Sequence, residues 1–199
     1  MDSFLQELAQ ARPDPGGGAA AAFGARLGLA LLEKVVQLEG GRRREPKGKA
    51  SFNWAEALTQ LRQLQETLAR TQEDDVRAYA GLAAARASGG NLAAAVREAL
   101  DCPKRVVLQA GQALELLAWA GGHCQPHLVA DLLVACEFLG AALTGAYHIA
   151  CANLSLIPPA ENPQALRRAF CQTYQKGDDL YNMVKAALVA REDGFDRCR

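Results

Sequence analysis

From Phe138 to Ile157 the chain carries no formal charge. An apolar run of that kind has two stable homes, the hydrocarbon of a membrane or the centre of a helical bundle. It meets the roughly 20-residue length of a membrane span. Its polar residues argue for the bundle, because Thr144, Tyr147, His148, Asn153 and Ser155 recur along it. Asp131 and Glu137 precede it, and no basic cluster marks a flank. No strand-like alternation appears elsewhere. Glycine and proline signals divide the chain into helices expected from Asp2 to Gln10, Gly18 to Glu39, Asn53 to Ser88, Asn91 to Leu100, Pro103 to Ala120, Pro126 to Ile157 and Pro163 to Arg191. Leu58, Leu61, Leu64 and Leu68 recur every three to four positions and form one apolar stripe. The expected fold is all-α, an up-and-down bundle in which residues 1–199 form a single domain.

Small residues set how closely such helices pack. Gly24 and Gly28 stand among alanines, and Gly140, Ala141, Thr144 and Gly145 form a second flat surface. A helical glycine costs about 1 kcal/mol relative to alanine, so close packing is expected to repay it, within the chain or in a dimer formed through these helices. Upstream lies the run Pro13-Asp14-Pro15-Gly16-Gly17-Gly18, joined directly to Ala19-Ala20-Ala21-Ala22. The prolines end any earlier helix and the glycines let the backbone bend. The first amides of the next helix then lack intrahelical acceptors and favour an anion. A loop that merely punctuates two helices is the competing reading.

The 22 Lys and Arg residues balance the 22 Asp and Glu residues, which leaves no global field for nucleic acid. The first ten residues carry Asp2 and Glu7, which argues against a cleavable secretion signal. The six cysteines are scattered, a pattern expected of reduced thiols in the cytoplasm rather than of a disulfide framework. His123, His127 and Asp131 have metal-compatible spacing, but Pro126 makes a good first helical residue and takes His123 off that stripe, so no metal is expected.

Two carboxylates attract attention. Asp75 is adjacent to Asp74 and one turn before Tyr79, where like-charge repulsion or partial burial would raise a carboxyl into an acid/base range. A solvated face paired with Arg70 and Arg77 is the alternative. Asp131 stands among Leu128, Val129, Ala130, Leu132, Leu133 and Val134, where an acid needs a partner or a task. Asp131 and Asn153 lie about 33 Å apart on one straight helix, so Asn153 is expected to serve packing or a partner contact.

The chain from Pro13 to Val35 resembles the opening of the formiminotransferase-cyclodeaminase and methenyltetrahydrofolate cyclohydrolase family, folate enzymes with an all-helical fold. Further resemblances follow in order: Gly40-Gly41-Arg42-Arg43-Arg44, Glu73-Asp74-Asp75 with Tyr79, Ala99 to Pro103, Gly122-His123 with Asp131, and Gly145-Ala146-Tyr147 with Asn153-Leu154. Ala19, Glu45 or Pro46, Glu73, His123 and Ile149 depart from the family's usual serine, aromatic, aspartate, asparagine and asparagine.

The resemblance implies a homodimer that uses a tetrahydrofolate derivative as substrate, without a separate cofactor. Its reaction would be cyclodeamination of the formimidoyl compound or hydrolysis of the methenyl compound. It implies proton transfer by Asp75 or Asp131 and ligand anchoring by Gly16, Gly17 and Gly18. Arg43 and Arg44 would pair with the glutamate carboxylates, and His123 would contact the pterin or act near Asp131. The departures motivate a second expectation, a folate-binding or structural helical dimer that has lost catalysis.

Overall fold

The computed structural model describes residues 2–42, 53–157 and 162–196. Among these the fold is all-α: α1 (Asp2–Leu8), α2 (Gly17–Gly40), α3 (Trp54–Ser88), α4 (Leu92–His123), α5 (Val129–Leu154) and α6 (Pro163–Asp196). A single 3-10 turn, Pro126–Leu128, leads into α5. The ends of α3 follow directly from its sequence. Asn53 accepts from the Glu56 amide while the Glu56 carboxylate accepts from the Asn53 amide, a reciprocal cap. Gly89 ends the helix at φ 67°, in the left-handed region open to glycine.

The uncharged segment supplies the central helix. α5 packs against α2, α4 and α6, while α3 covers α2 and α4. Leu132, Leu139 and Leu143 of α5 are fully buried, as are Leu29 and Leu32 of α2 and Leu114 and Leu117 of α4. Each such side chain stabilises the fold by roughly 1.5–3 kcal/mol through removal from water. Leu61, Leu64 and Leu68 bury the α3 stripe, with Leu58 at its edge. The cysteines within this core are free thiols, and burial pushes Cys136 up to about 11.

Glycines fix the helix spacings. A Cβ on Gly28 would lie 2.9 Å from the Ala135 carbonyl oxygen and 3.0 Å from Leu139 Cγ, so α2 meets the backbone of α5 there. On α6, Tyr181 covers Gly140 and Leu188 covers Gly121. Gly24 has no neighbour within 4 Å of the position a Cβ would take, so its flat surface is open. Contacts of Gly17 with Ile149, Gly28 with Ala135 and Lys34 with Asp131 run in opposite chain directions, making α2 and α5 antiparallel.

One boundary differs from the sequence pattern. The helices expected on either side of Pro103 are one continuous α4, with Pro103 inside it. Proline lacks the amide that would bond the carbonyl four residues earlier, which is that of Ala99. Asn153 Nδ2 donates to that oxygen at 3.1 Å and supplies the missing partner.

Candidate active site

The glycine loop opens into a cleft of about 260 Å³ where α2 begins, lined by Gly16, Gly17, Gly18, Asp75, Tyr79, Ala99, Ile149 and Asn153 among others. The loop contains a cis Asp14–Pro15 peptide. Gly16 caps α2 in an extended conformation and offers no side chain to its amides. Asp75, reaching across from α3, supplies what is missing: the Ala19 backbone N–H donates to its carboxylate. A side chain at position 18 could not coexist with this contact, because a Cβ there would overlap the carboxylate. The Ala20 amide returns to the helix by donating to the Gly16 carbonyl at 3.0 Å. The Gly17 and Gly18 amides precede the first i to i−4 bond of the helix and have no intrahelical acceptor.

Burial raises the Asp75 carboxyl above its ordinary value, and the Ala19 hydrogen bond opposes part of that rise. Its neighbour has the opposite environment. Asp74 accepts from Arg105 Nη1 at 2.7 Å and from Arg77, and the Arg105 hydrogen bond in first place holds its carboxyl below the usual range. Desolvation, rather than repulsion between neighbouring aspartates, therefore drives the Asp75 shift. Arg105 Nη2 also donates to Cys102 Sγ at 3.4 Å, anchoring the guanidinium to α4 while it holds α3 through Asp74. The next residue, Asp75, is left facing the cleft.

Ile149 and Tyr79 shape the rest of the site. Ile149 Cδ1 lies 2.8 Å from the position of a Gly17 Cβ, so an apolar wall stands beside the start of α2. Tyr79, one turn beyond Asp75, exposes its ring at the cleft.

Among the residues singled out from sequence, the cleft brings together Gly16, Gly17, Gly18 and Asp75. Asp131 is not with them in this chain. It sits near the start of α5, about 27 Å along the helix from Ile149, and accepts from Lys34 Nζ at 2.8 Å. The partner demanded by its apolar sequence neighbours is thus a lysine on α2. His123 is also distant from the cleft, at the far end of α4 from Ala99, with Nδ1 2.7 Å from the Trp119 carbonyl oxygen. A carbonyl only accepts, so Nδ1 carries the proton. His127 Nε2 lies 3.5 Å from Arg42, so the three metal-compatible side chains have separate protein partners. Arg43 and Arg44 lie outside the described residues.

Asn153, expected to serve packing or a partner contact, packs on the Ala99 carbonyl and also lines the cleft. The long separation from Asp131 is correct, but Asn153 belongs beside Asp75, because α5 ends where α2 begins. Pro103 was the available signal, since a proline inside a helix implies a donor elsewhere for the carbonyl it abandons.

An up-and-down bundle with a carboxylate at a glycine-rich helix start defines the molecule's class. The family model for formiminotransferase-cyclodeaminase matches residues 1–172, and the chain belongs to that family. It is 34% identical over 79 residues to the methenyltetrahydrofolate cyclohydrolase of Methylorubrum extorquens. That match covers 40% of this chain and 37% of the relative's length. The fold resembles the crystal structure of formiminotetrahydrofolate cyclodeaminase from Thermotoga maritima, with a TM-score of 0.83 and 19% identity. The alignment covers 98% of this chain and 96% of that structure.

Proposed function

We propose that this protein is a folate one-carbon enzyme whose cleft catalyses cyclodeamination of formimidoyltetrahydrofolate or hydrolysis of methenyltetrahydrofolate. The observation that carries the reading is Asp75: a carboxyl raised by burial, held against the first turn of α2, in a member of this family. Burial raises the proton affinity of this carboxyl, which suits it to give or take a proton at a reacting nitrogen or water.

In cyclodeamination, nitrogen-10 attacks the formimidoyl carbon and forms the new C–N bond. The proton that nitrogen-10 loses passes to the formimidoyl nitrogen, protonated Asp75 gives that nitrogen a second, and it leaves as ammonia when its C–N bond breaks, so the methenyl cation remains. In hydrolysis, water adds to the methenyl carbon as ionised Asp75 removes a proton. The bond from that carbon to nitrogen-5 then breaks as nitrogen-5 takes that proton back from Asp75, the hydroxyl proton is released to solvent, and the 10-formyl compound remains. Holding the folate nitrogens and carbon in place supplies further acceleration. The Gly17 and Gly18 amides would anchor electronegative ligand atoms, and the Tyr79 ring would cover the pterin at the mouth. Arg43 and Arg44 are proposed to meet the glutamate carboxylates through their planar forks. The folate is the substrate, with no separate cofactor. Free cysteines at the five described positions support assignment to the reducing cytoplasm.

The protein would act as a homodimer through α2 and α5. The Lys34–Asp131 pair is flanked by exposed Leu38, one turn onward in α2, and exposed Val134 and Phe138 in the first turns of α5. Gly24 is open farther along α2. A second copy laid across this stripe would bury these side chains and use the flat glycine surface. Val134→Asp with Phe138→Asp should shift sedimentation from dimer to monomer. An unchanged sedimentation coefficient would rule out that face.

Ile149 favours one competing reading. Its packing on Gly17 puts an apolar side chain where the family resemblance implies asparagine, consistent with a folate binder that lacks turnover. The methenyl compound is chromophoric, so its formation or loss upon mixing with wild-type protein tests the enzyme directly. Binding without a change in either rate supports the noncatalytic reading, whereas no binding rejects both.

A further inference from the structure

We infer that Asn153 is an orienting acceptor for an N–H of the bound ligand, aimed by Pro103 through the Ala99 carbonyl. The inference rests on the folate reading for the ligand's identity, since a reduced pterin carries several N–H donors at its rim. The juxtaposition itself comes from this chain's own residues.

Pro103 sits inside α4, and its ring nitrogen cannot bond the carbonyl of Ala99. Buried backbone carbonyls require a donor, and Asn153 Nδ2 provides one from α5. That bond decides which way the amide faces. A carbonyl only accepts, so the nitrogen must turn toward Ala99 and Oδ1 must occupy the other end of the planar group. Asn153 and Ala99 both line the cleft that holds Asp75. Oδ1 has no hydrogen-bond partner among the described residues and is not a buried unsatisfied atom, so it remains accessible as an acceptor.

This arrangement separates two roles in one small site. Asp75 exchanges protons, whereas a neutral amide held by the backbone keeps a fixed acceptor at all working pH values. Ile149, one turn before Asn153, is apolar and offers no competing acceptor. Asn153 is therefore a specificity-determining residue and Pro103 a positioning residue that acts through it.

Three variants test the couple. Asn153→Ala should raise KM for the folate substrate by roughly five- to tenfold, as expected for one neutral hydrogen bond, with kcat within about twofold. Pro103→Ala restores the helical amide to Ala99 and should raise the melting temperature, yet also raise KM because the Asn153 amide loses its exclusive anchor. The double variant restores a donor to Ala99 and so protects the fold. Its KM should match that of Asn153→Ala, a non-additive result. In isotopically labelled wild-type protein, one Asn153 side-chain amide proton should exchange slowly, and Pro103→Ala should expose it.

Unchanged KM in the double variant would overturn the acceptor role and reduce Asn153 to a helix cap. Equal amide exchange in wild type and Pro103→Ala would overturn the positioning role. If wild-type protein binds no folate, both the folate reading and the acceptor role fail, and the exchange experiment still decides whether Pro103 aims Asn153.

Discussion

Replacing Gly18 by alanine tests the contact on which the cleft is built. In the native chain, a Cβ at position 18 would meet both carboxylate oxygens and Cγ of Asp75, so the aspartate must retreat from the Ala19 amide. Overpacking costs about 1–3 kcal/mol, and a hydrogen bond to a charged acceptor contributes about 1.5–3 kcal/mol. Alanine's better helix propensity returns roughly 0.5–1 kcal/mol. The net loss expected is about 1.5–5.5 kcal/mol, a fall of roughly 3–22 °C in melting temperature at this chain length. The informative comparison repeats the change in an Asp75→Ala background. With the carboxylate gone, only the propensity gain remains, so Gly18→Ala should stabilise that protein by roughly 0.5–1 kcal/mol. Urea denaturation of the four proteins gives the coupling directly. An equal cost in both backgrounds would refute the proposed contact between α2 and Asp75.

The adjacent aspartates should respond oppositely to pH. Folding raises the Asp75 carboxyl, so its ionisation opposes folding: stability falls as pH rises from the ordinary value of 3.8 through the raised folded value. Asp75→Asn should therefore be more stable than wild type at pH 7, with the advantage shrinking in acid, as measured by denaturation at several pH values. Folding lowers the Asp74 carboxyl, so its contribution is present above 3.8 and is lost as pH falls through the depressed value. Asp74→Asn should cost about 1 kcal/mol at pH 7 and converge with wild type in acid. At Gly28, alanine should lower stability by about 1–3 kcal/mol in the same assay, because its Cβ would meet the Ala135 carbonyl rather than a flexible side chain.

Local chemistry made much of the helical order legible. Asn53 with Glu56 announces the start of α3, Gly89 its end, and the uncharged run identifies the central helix. The Gly16 to Gly18 loop was legible as a helix start because proline and glycine act over a few residues. The site was only partly legible because its other members meet through packing. Asp75 and Asp131 could not be separated by neighbours in sequence: Lys34, the partner of Asp131, is on α2, while the burial of Asp75 depends on Gly18. Pro103 suggested a break, but the donor that rescues the helix comes from α5. Distance along α5 separates Asn153 from Asp131, while the end of that helix carries it to the cleft of Asp75.

The central claim is that Asp75 transfers the proton and Asp131 does not. Turnover of the formimidoyl and methenyl compounds, followed by absorbance alongside equilibrium folate binding, should be compared for wild type, Asp75→Asn and Asp131→Asn. Asp75→Asn should lower kcat by roughly 10²–10⁴-fold on the compound that wild type consumes, with affinity changed only a few-fold. Asp131→Asn should retain kcat. Wild-type turnover by Asp75→Asn, or a comparable loss confined to Asp131→Asn, would contradict the account.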